Sequence, residues 1–367
     1  MRRRQDAPIP PPANAISVPP TPLPDLDELH RLIDEGGAHL DTRVVCEVEV
    51  RGRRFDVHAI SMGHGGAGVP AVGFFGGVHG LERIGAEVVM AYLGSLVARL
   101  AWDGLLREQL ASVRLVFMPL VNPGGLWLGT RANPQGVDLM RNAPVDAIEP
   151  VPWLIGGQRL SPALPWYRGQ PRMPMQSESA ALCAVVEQEL LPRPFSIAVD
   201  CHSGFGVQDR IWFPYAHTSV PIEHLAELHA LREIFDQAHC YHPYVFEPQS
   251  QQYLAHGDLW DHLYLQSRLA HEHNTFLPLT LEMGSWLWVK KNPRQLFSRH
   301  GIFNPLIRHR QERVLRRHMG LLDFMARAAC SHERWRPQGA ERVRHHEAGL
   351  AHWYPEDHPA RMKGSAT

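Results

Sequence analysis

Apolar runs of strand length alternate with longer stretches of helical period along most of the 367-residue chain. Residues 25–37, DLDELHRLIDEGG, begin acidic and stop on glycine, the pattern of a helix. CEVEV (46–50) and RFDVHAISMG (54–63) alternate with period two around Arg51, Gly52 and Arg53, which predicts a hairpin. PAVGFFGGVHG (70–80) is a continuous apolar run of the buried-strand type, and ERIGAEVVMAYLGSLVARL (82–100) follows it with helical period. Further strands are expected at 112–123, 195–204, 210–216 and 276–285, and further helices at 177–191, 222–239, 258–273 and 304–330. Pro278 in the last strand favours that strand's beginning or a sheet edge. Residues 124–176 carry many Gly, Pro and Arg with little periodicity and read as a long loop, functional or mobile.

Strands alternating with helices predict an α/β fold: a single domain with a mixed, mainly parallel sheet and helices on both faces. The domain is expected over 25–331, after a disordered proline-rich lead-in (1–24) and before a polar tail rich in His and Arg (332–367). His345, His346, His352 and His358 fall in that tail, which reads as solvated and poorly ordered. Hydrophobic residues make up 44% of the chain, enough for one large core. With 37 basic and 38 acidic residues there is no global field to attract nucleic acid or an anionic membrane. Nor does any run approach the length of a membrane span. The five cysteines are an odd number, far apart and without C-x-x-C, the usage of reduced thiols. The start MRRRQDAPIPPPANA has no apolar segment behind its charges. A soluble, cytoplasmic protein is the resulting expectation.

Twenty-three histidines raise the prospect of a metal or acid–base site. In open α/β sheets ligands gather at the carboxyl ends of strands. His79, Asn122 and His202 end three of the expected strands, and Glu282 falls near the end of a fourth. Within HGLE (79–82), His79 and Glu82 can reach one ion if the chain turns between strand and helix, and Gly80 permits such a turn. His202 is the best-placed third ligand. Imidazole and carboxylate donors suit one zinc ion with a fourth position left for water, and they also admit cobalt, nickel or iron. A lone H-x-x-E is a weak signal, because Glu82 also suits a first-turn acid beside a helix dipole. Glu282 lies among apolar neighbours, as a general base or as a carboxylate paired with an arginine. Arg131 and Arg141 are candidate cations in the segment GLWLGTRANPQGVDLMRN (125–142), which reads equally as a solvated basic loop. By strand alternation Cys201 points away from His202.

Six short motifs in order resemble the zinc metallocarboxypeptidases of the carboxypeptidase A type. They are HGLE (79–82), NPGG (122–125), GVDLMRN (136–142), CHSG (201–204), YLAHG (253–257) and LEMG (281–284), spread over residues 70 to 285. The resemblance implies that His79, Glu82 and His202 hold one Zn2+ and that Glu282 is the base for the zinc-bound water. It implies that Arg131 steadies the oxyanion and that Asp138 hydrogen-bonds the far nitrogen of His79. Arg141 then grips a substrate carboxylate, and Tyr253 closes over the substrate. Peptide hydrolysis of the carboxypeptidase kind, on small peptides, is the function so implied.

The family motif has asparagine where this chain has Met140, so one donor to a terminal carboxylate is missing. A neighbouring branch, the succinylglutamate desuccinylase and aspartoacylase type, keeps H-x-x-E…H but deacylates N-acyl amino acids. The Tyr253 and Glu282 segments resemble the peptidase branch instead, and a non-catalytic zinc-binding homologue has no need of Glu282. Arg210 reads either as a contact to an anionic substrate group or as one half of a salt bridge with Asp209 or another acid. Trp260 falls near a specificity pocket if the segment after YLAHG aligns without gaps, or packs in the core. No inhibitory pro-domain fits into the first 69 residues, whose hairpin is expected to extend the catalytic sheet.

Overall fold

The computed structural model describes residues 23–355, so the lead-in up to residue 22 and the last twelve residues lie outside the described residues. Among the described residues eight strands form one sheet: β1 (Asp41–Val50), β2 (Arg53–Gly63), β3 (Ala71–Gly76), β4 (Arg114–Met118), β5 (Phe195–Ser203), β6 (Arg210–Phe213), β7 (Val245–Pro248) and β8 (Thr275–Met283). Their order is β1-β2-β4-β3-β5-β8-β6-β7. The pairs β3–β4, β3–β5, β5–β8 and β6–β7 are parallel, and the other three are antiparallel. The sheet is thus mixed and mainly parallel, as its sequence pattern predicts. The β1–β2 hairpin joins it through β2 against β4 and extends the catalytic sheet.

The helices in chain order are α1 (Pro24–Gly36), α2 (Arg83–Arg99), α3 (Gly104–Leu110), α4 (Pro123–Leu128), α5 (Ser177–Glu189), α6 (Leu225–Ala238), α7 (Leu259–Ala270), α8 (Trp286–Lys291), α9 (Arg308–Cys330), α10 (His332–Trp335) and α11 (Gly339–Trp353). Every residue of β3 and of β5 is buried, which is why both read as continuous apolar runs. Side chains still alternate along them. Phe74 packs against Tyr92 of α2 and Phe75 against Trp260 of α7, so neighbouring residues serve opposite helical layers. The inward residues of α9, Val314, His318, Leu321, Leu322, Met325 and Ala329, recur at helical period and lay one stripe on the core.

Three readings are corrected. Pro278 lies inside β8, and β8 is an internal strand between β5 and β6. It is tolerated because β6 pairs with β8 only from Thr280 to Glu282, so no partner on that side calls for the missing N–H. The supposed loop 124–176 contains α4 and a short 3-10 turn at Leu139–Arg141. The polar tail is folded as far as residue 355: α10 and α11 follow α9, and Trp353 and Tyr354 are buried. Trp353 donates through Nε1 to the Phe246 carbonyl at 2.8 Å and packs on Phe213. His358 lies outside the described residues.

Candidate active site

β3, β5 and β8 run side by side, and their carboxyl ends deliver the central groups. His79 follows β3 by three residues, His202 is the penultimate residue of β5, and Glu282 stands opposite His202 in the parallel register. Glu82 is the N-cap residue of α2. Two backbone approaches hold this geometry. A Cβ on Gly80 would lie 2.0 Å from the Gly125 carbonyl carbon, and one on Gly85 would lie 2.1 Å from the Cys201 carbonyl oxygen. Gly80 is therefore required for the contact with α4 more than for a turn. Asn122 secures that contact by accepting from the Gly125 N–H and donating to the Val78 carbonyl.

His79 Nδ1 lies 3.0 Å from Glu82 Oε1, His202 Nδ1 lies 3.1 Å from Glu82 Oε2, and the two Nδ1 atoms are 3.2 Å apart. All three side chains are buried, and one donor atom from each lies within 4.8 Å of the others. The far nitrogens are both occupied by carboxylates. His79 Nε2 meets Asp138 Oδ1 at 3.1 Å, and His202 Nε2 meets Asp200 Oδ2 at 2.6 Å. A ring that donates from Nε2 presents a bare lone pair at Nδ1. With both Nε2 atoms committed to carboxylates, the Nδ1 atoms of the neutral rings converge with the Glu82 carboxylate, a donor set that fits a cation. The His₂Glu set fits zinc. Asp200 and Glu82 pull the proton affinity of His202 well upward against its burial, and Glu82, beside His79, His202 and Arg131, is held well below the usual carboxylate range despite burial.

Arg131 donates from Nη1 to Glu82 at 2.7 Å and from Nε to Asp138 at 3.0 Å. Glu282 accepts from the Phe205 backbone N–H at 3.0 Å, and burial, with Glu82 adding to it, pushes its carboxyl up to about 8. A cavity of about 410 Å³ opens over these groups and is lined further by Met140, Arg141, Tyr253 and Asp258 and by the rings of Phe205, Trp212, Trp286 and Phe303. Arg141 is buried, its Nη2 donates to the Tyr253 hydroxyl at 3.2 Å, and its Nε has no protein partner. Asp258 Oδ2 stands 3.8 Å from its Nη1.

Asp138 stands behind His79 and Trp260 behind Asp200, off the cavity wall, and Arg210 joins neither the wall nor the groups behind it. Its guanidinium pairs with Glu247, which also accepts from Trp212 Nε1 and Gln252. Asp209, the other partner considered for it, pairs instead with Arg317. Trp260 is buried, and its Nε1 donates to the same Asp200 oxygen that holds His202. Asp200 escaped the sequence reading, although the signal was present: it lies two residues before His202 and so on the same face of β5. Asp258 was missed too, as the N-cap that accepts from the Trp260 and Asp261 N–H groups at the start of α7.

Comparison with known proteins gives the chain a family and its fold relatives. The Peptidase_M14 family model, zinc carboxypeptidase, matches residues 48–285. The chain belongs to the zinc carboxypeptidase family, and it is a zinc-dependent hydrolase of that family. Solved structures share the fold. Thrombin-activatable fibrinolysis inhibitor aligns at 16% identity with a TM-score of 0.61, covering 83% of this chain and 74% of that one. The bovine form of that protein, in complex with tick carboxypeptidase inhibitor, aligns at 16% identity and a TM-score of 0.60 over 84% and 97%. Carboxypeptidase A from Helicoverpa armigera gives 16% identity and a TM-score of 0.60 over 83% and 71%. No curated protein matches the chain by sequence.

Proposed function

We propose that the protein is a carboxypeptidase acting on small peptides with a free terminal carboxylate. The observation that carries this reading is Arg141, a buried guanidinium that lines the cavity holding His79, Glu82, His202 and Glu282 and whose nearest acid, Asp258, stands 3.8 Å away. A guanidinium that lines a cavity without a close acid beside it is matched by a substrate carboxylate through charge-assisted hydrogen bonds. His79, Glu82 and His202 hold the zinc, which when bound supplies a Lewis acid that acidifies water and polarises the scissile carbonyl. Glu282 takes a proton from the attacking water and passes it to the leaving amine. Its carboxylate, held by the Phe205 N–H at the wall of the same cavity, is placed to accept and return that proton. Arg131 faces the same space and donates to the oxygen on which negative charge develops. Asp138 fixes the His79 ring through Nε2, and Tyr253 closes the pocket beside Arg141. Met140 presents a thioether where the family motif has an amide, so the carboxylate is held by Arg141 and Tyr253 without that third donor.

A panel of peptides, their C-terminal amides, and N-succinyl or N-acetyl amino acids tests the reading. Free-carboxylate peptides are expected to be cleaved and their amides spared. Arg141→Gln is expected to cut kcat/KM on the free peptides by about 10- to 100-fold, the worth of a charged hydrogen bond. Equal cleavage of amides, or turnover confined to N-acyl amino acids, would overturn it.

A further inference from the structure

A second cluster of metal-type donors lies far along the chain from the first. His229 and Glu233 stand one turn apart on α6, where i and i+4 side chains share a face. His345 of α11 faces them. The two Nδ1 atoms are 3.0 Å apart, close to the 3.2 Å between His79 and His202. Glu233 spans the pair: Oε1 is 3.9 Å from His229 Nδ1 and Oε2 is 3.9 Å from His345 Nδ1. One donor atom from each residue lies within 4.8 Å of the other two, as in the catalytic set. His229 is buried, the His345 side chain is 11% exposed and that of Glu233 is 47% exposed, so the cluster opens to solvent on its carboxylate side. Of the neighbouring arginines, Arg232 pairs with Asp236, while Arg344 pairs with Glu341 and also reaches His345 Nε2 at 3.5 Å, on the side of the ring away from His229.

We propose that His229, Glu233 and His345 form a second site for a zinc-class divalent cation, one that clamps α11 to α6. The donor chemistry carries it. A hydrogen bond between two imidazoles needs only those two rings, whereas here a carboxylate sits equidistant from both nitrogens. Two imidazoles and a carboxylate, with a side open to water, are the ligands that zinc takes. The clamp has a mechanical reason as well. Only Gly349 and Trp353 of α11 are buried, so beyond them this helix is held to α6 by polar ties, the Arg342–Glu227 ion pair at 2.8 Å among them. What it secures lies close to the substrate pocket: the Trp353 carbonyl accepts from Gln251, two residues before Tyr253.

The full chain, stripped by a chelator and titrated with Zn2+, tests the site. Two ions per chain are expected for the wild type. His345→Gln and Glu233→Gln are each expected to bind one, with peptidase turnover retained. Glu233→Gln changes a half-exposed group, so the count stays readable even if His345→Gln loosens α11. Free Zn2+ at about 100 times the second site's Kd favours folding by about 100-fold in the unfolding constant, an effect that both variants abolish. One ion per chain in the wild type, or two in both variants, would overturn the proposal and leave the pair as an interhelical hydrogen bond.

Discussion

Asp200 and Asp138 do the same job on the two candidate zinc histidines, each accepting from the Nε2 that faces away from Glu82. Asp200 has a second tie, since Trp260 Nε1 donates to the same oxygen at 2.9 Å. The indole therefore fixes the carboxylate, and the carboxylate fixes the ring. Asp200→Asn keeps the shape of this relay and weakens the acceptor. Its expected effect is about a 10- to 100-fold loss of zinc affinity at the His79–Glu82–His202 set, the range for partners behind metal ligands. Competition with a chromophoric chelator reads it. Unchanged affinity would reduce Asp200 to a packing residue. Arg210 teaches the opposite lesson at this scale: a lone cation near a ligand histidine reads as a substrate contact, but Glu247 lies across the β6–β7 pair and claims it.

Among elements, the seat of the site is the contact between the β3–α2 connection and α4. Gly80→Ala would place a methyl 2.0 Å from the Gly125 carbonyl carbon, and backbone cannot swing aside as a side-chain tip can. A loss of about 1–3 kcal/mol is expected, as for overpacked cores, together with weaker zinc binding. Gly104→Ala, where a Cβ meets nothing within 4 Å, serves as the control and is expected to leave the melting temperature nearly unchanged. The elements legible in the sequence are those whose burial leaves a periodic mark: β3, β5 and β8 as apolar runs, and α2 and α9 as long stripes. β7 is four residues long, too short to show a period, and it forms because β6 lies beside it. α11 was illegible for a related reason. Its sequence, GAERVRHHEAGLAHW, has no apolar stripe, and its docking rests on Gly349 against Leu225, on the Arg342–Glu227 ion pair and on the terminal Trp353. The candidate metal ligands and Glu282 were legible because motif order substituted for distance. Asp200 was legible by strand alternation from His202, whereas the His229–His345 pair required the folded chain.

For the molecule as a whole, acid sensitivity follows from histidines buried as neutral rings. Burial lowers His318 to about 4, with Arg317 adding to it, while Asp209 opposes. Burial also lowers His224 to about 3, helped by Arg268, Arg342 and Arg336. Each ring bonds a tyrosine hydroxyl at 2.8 Å, His318 with Tyr244 and His224 with Tyr264. A histidine whose folded value is depressed favours the folded state fully above its unfolded value, about 6.5. As pH falls below that, the unfolded chain takes up a proton that the folded chain refuses, and stability drops until the folded value is reached. For His318 the drop amounts to about 3 kcal/mol between pH 6.5 and 4. Denaturant unfolding across that range is expected to show a shallower loss in His318→Gln than in the wild type. Equal slopes would mean that His318 already titrates in the folded protein.

Hydrolysis as proposed depends most directly on Glu282. Glu282→Gln keeps the size of the side chain and removes its ability to accept a proton from water. Turnover of a free-carboxylate peptide and bound zinc, measured on the same preparations of wild type and variant, give the decisive comparison. The expected result is unchanged zinc content with kcat lower by about 10²- to 10⁴-fold, the range for losing a general base. Wild-type turnover in a zinc-loaded variant would contradict it.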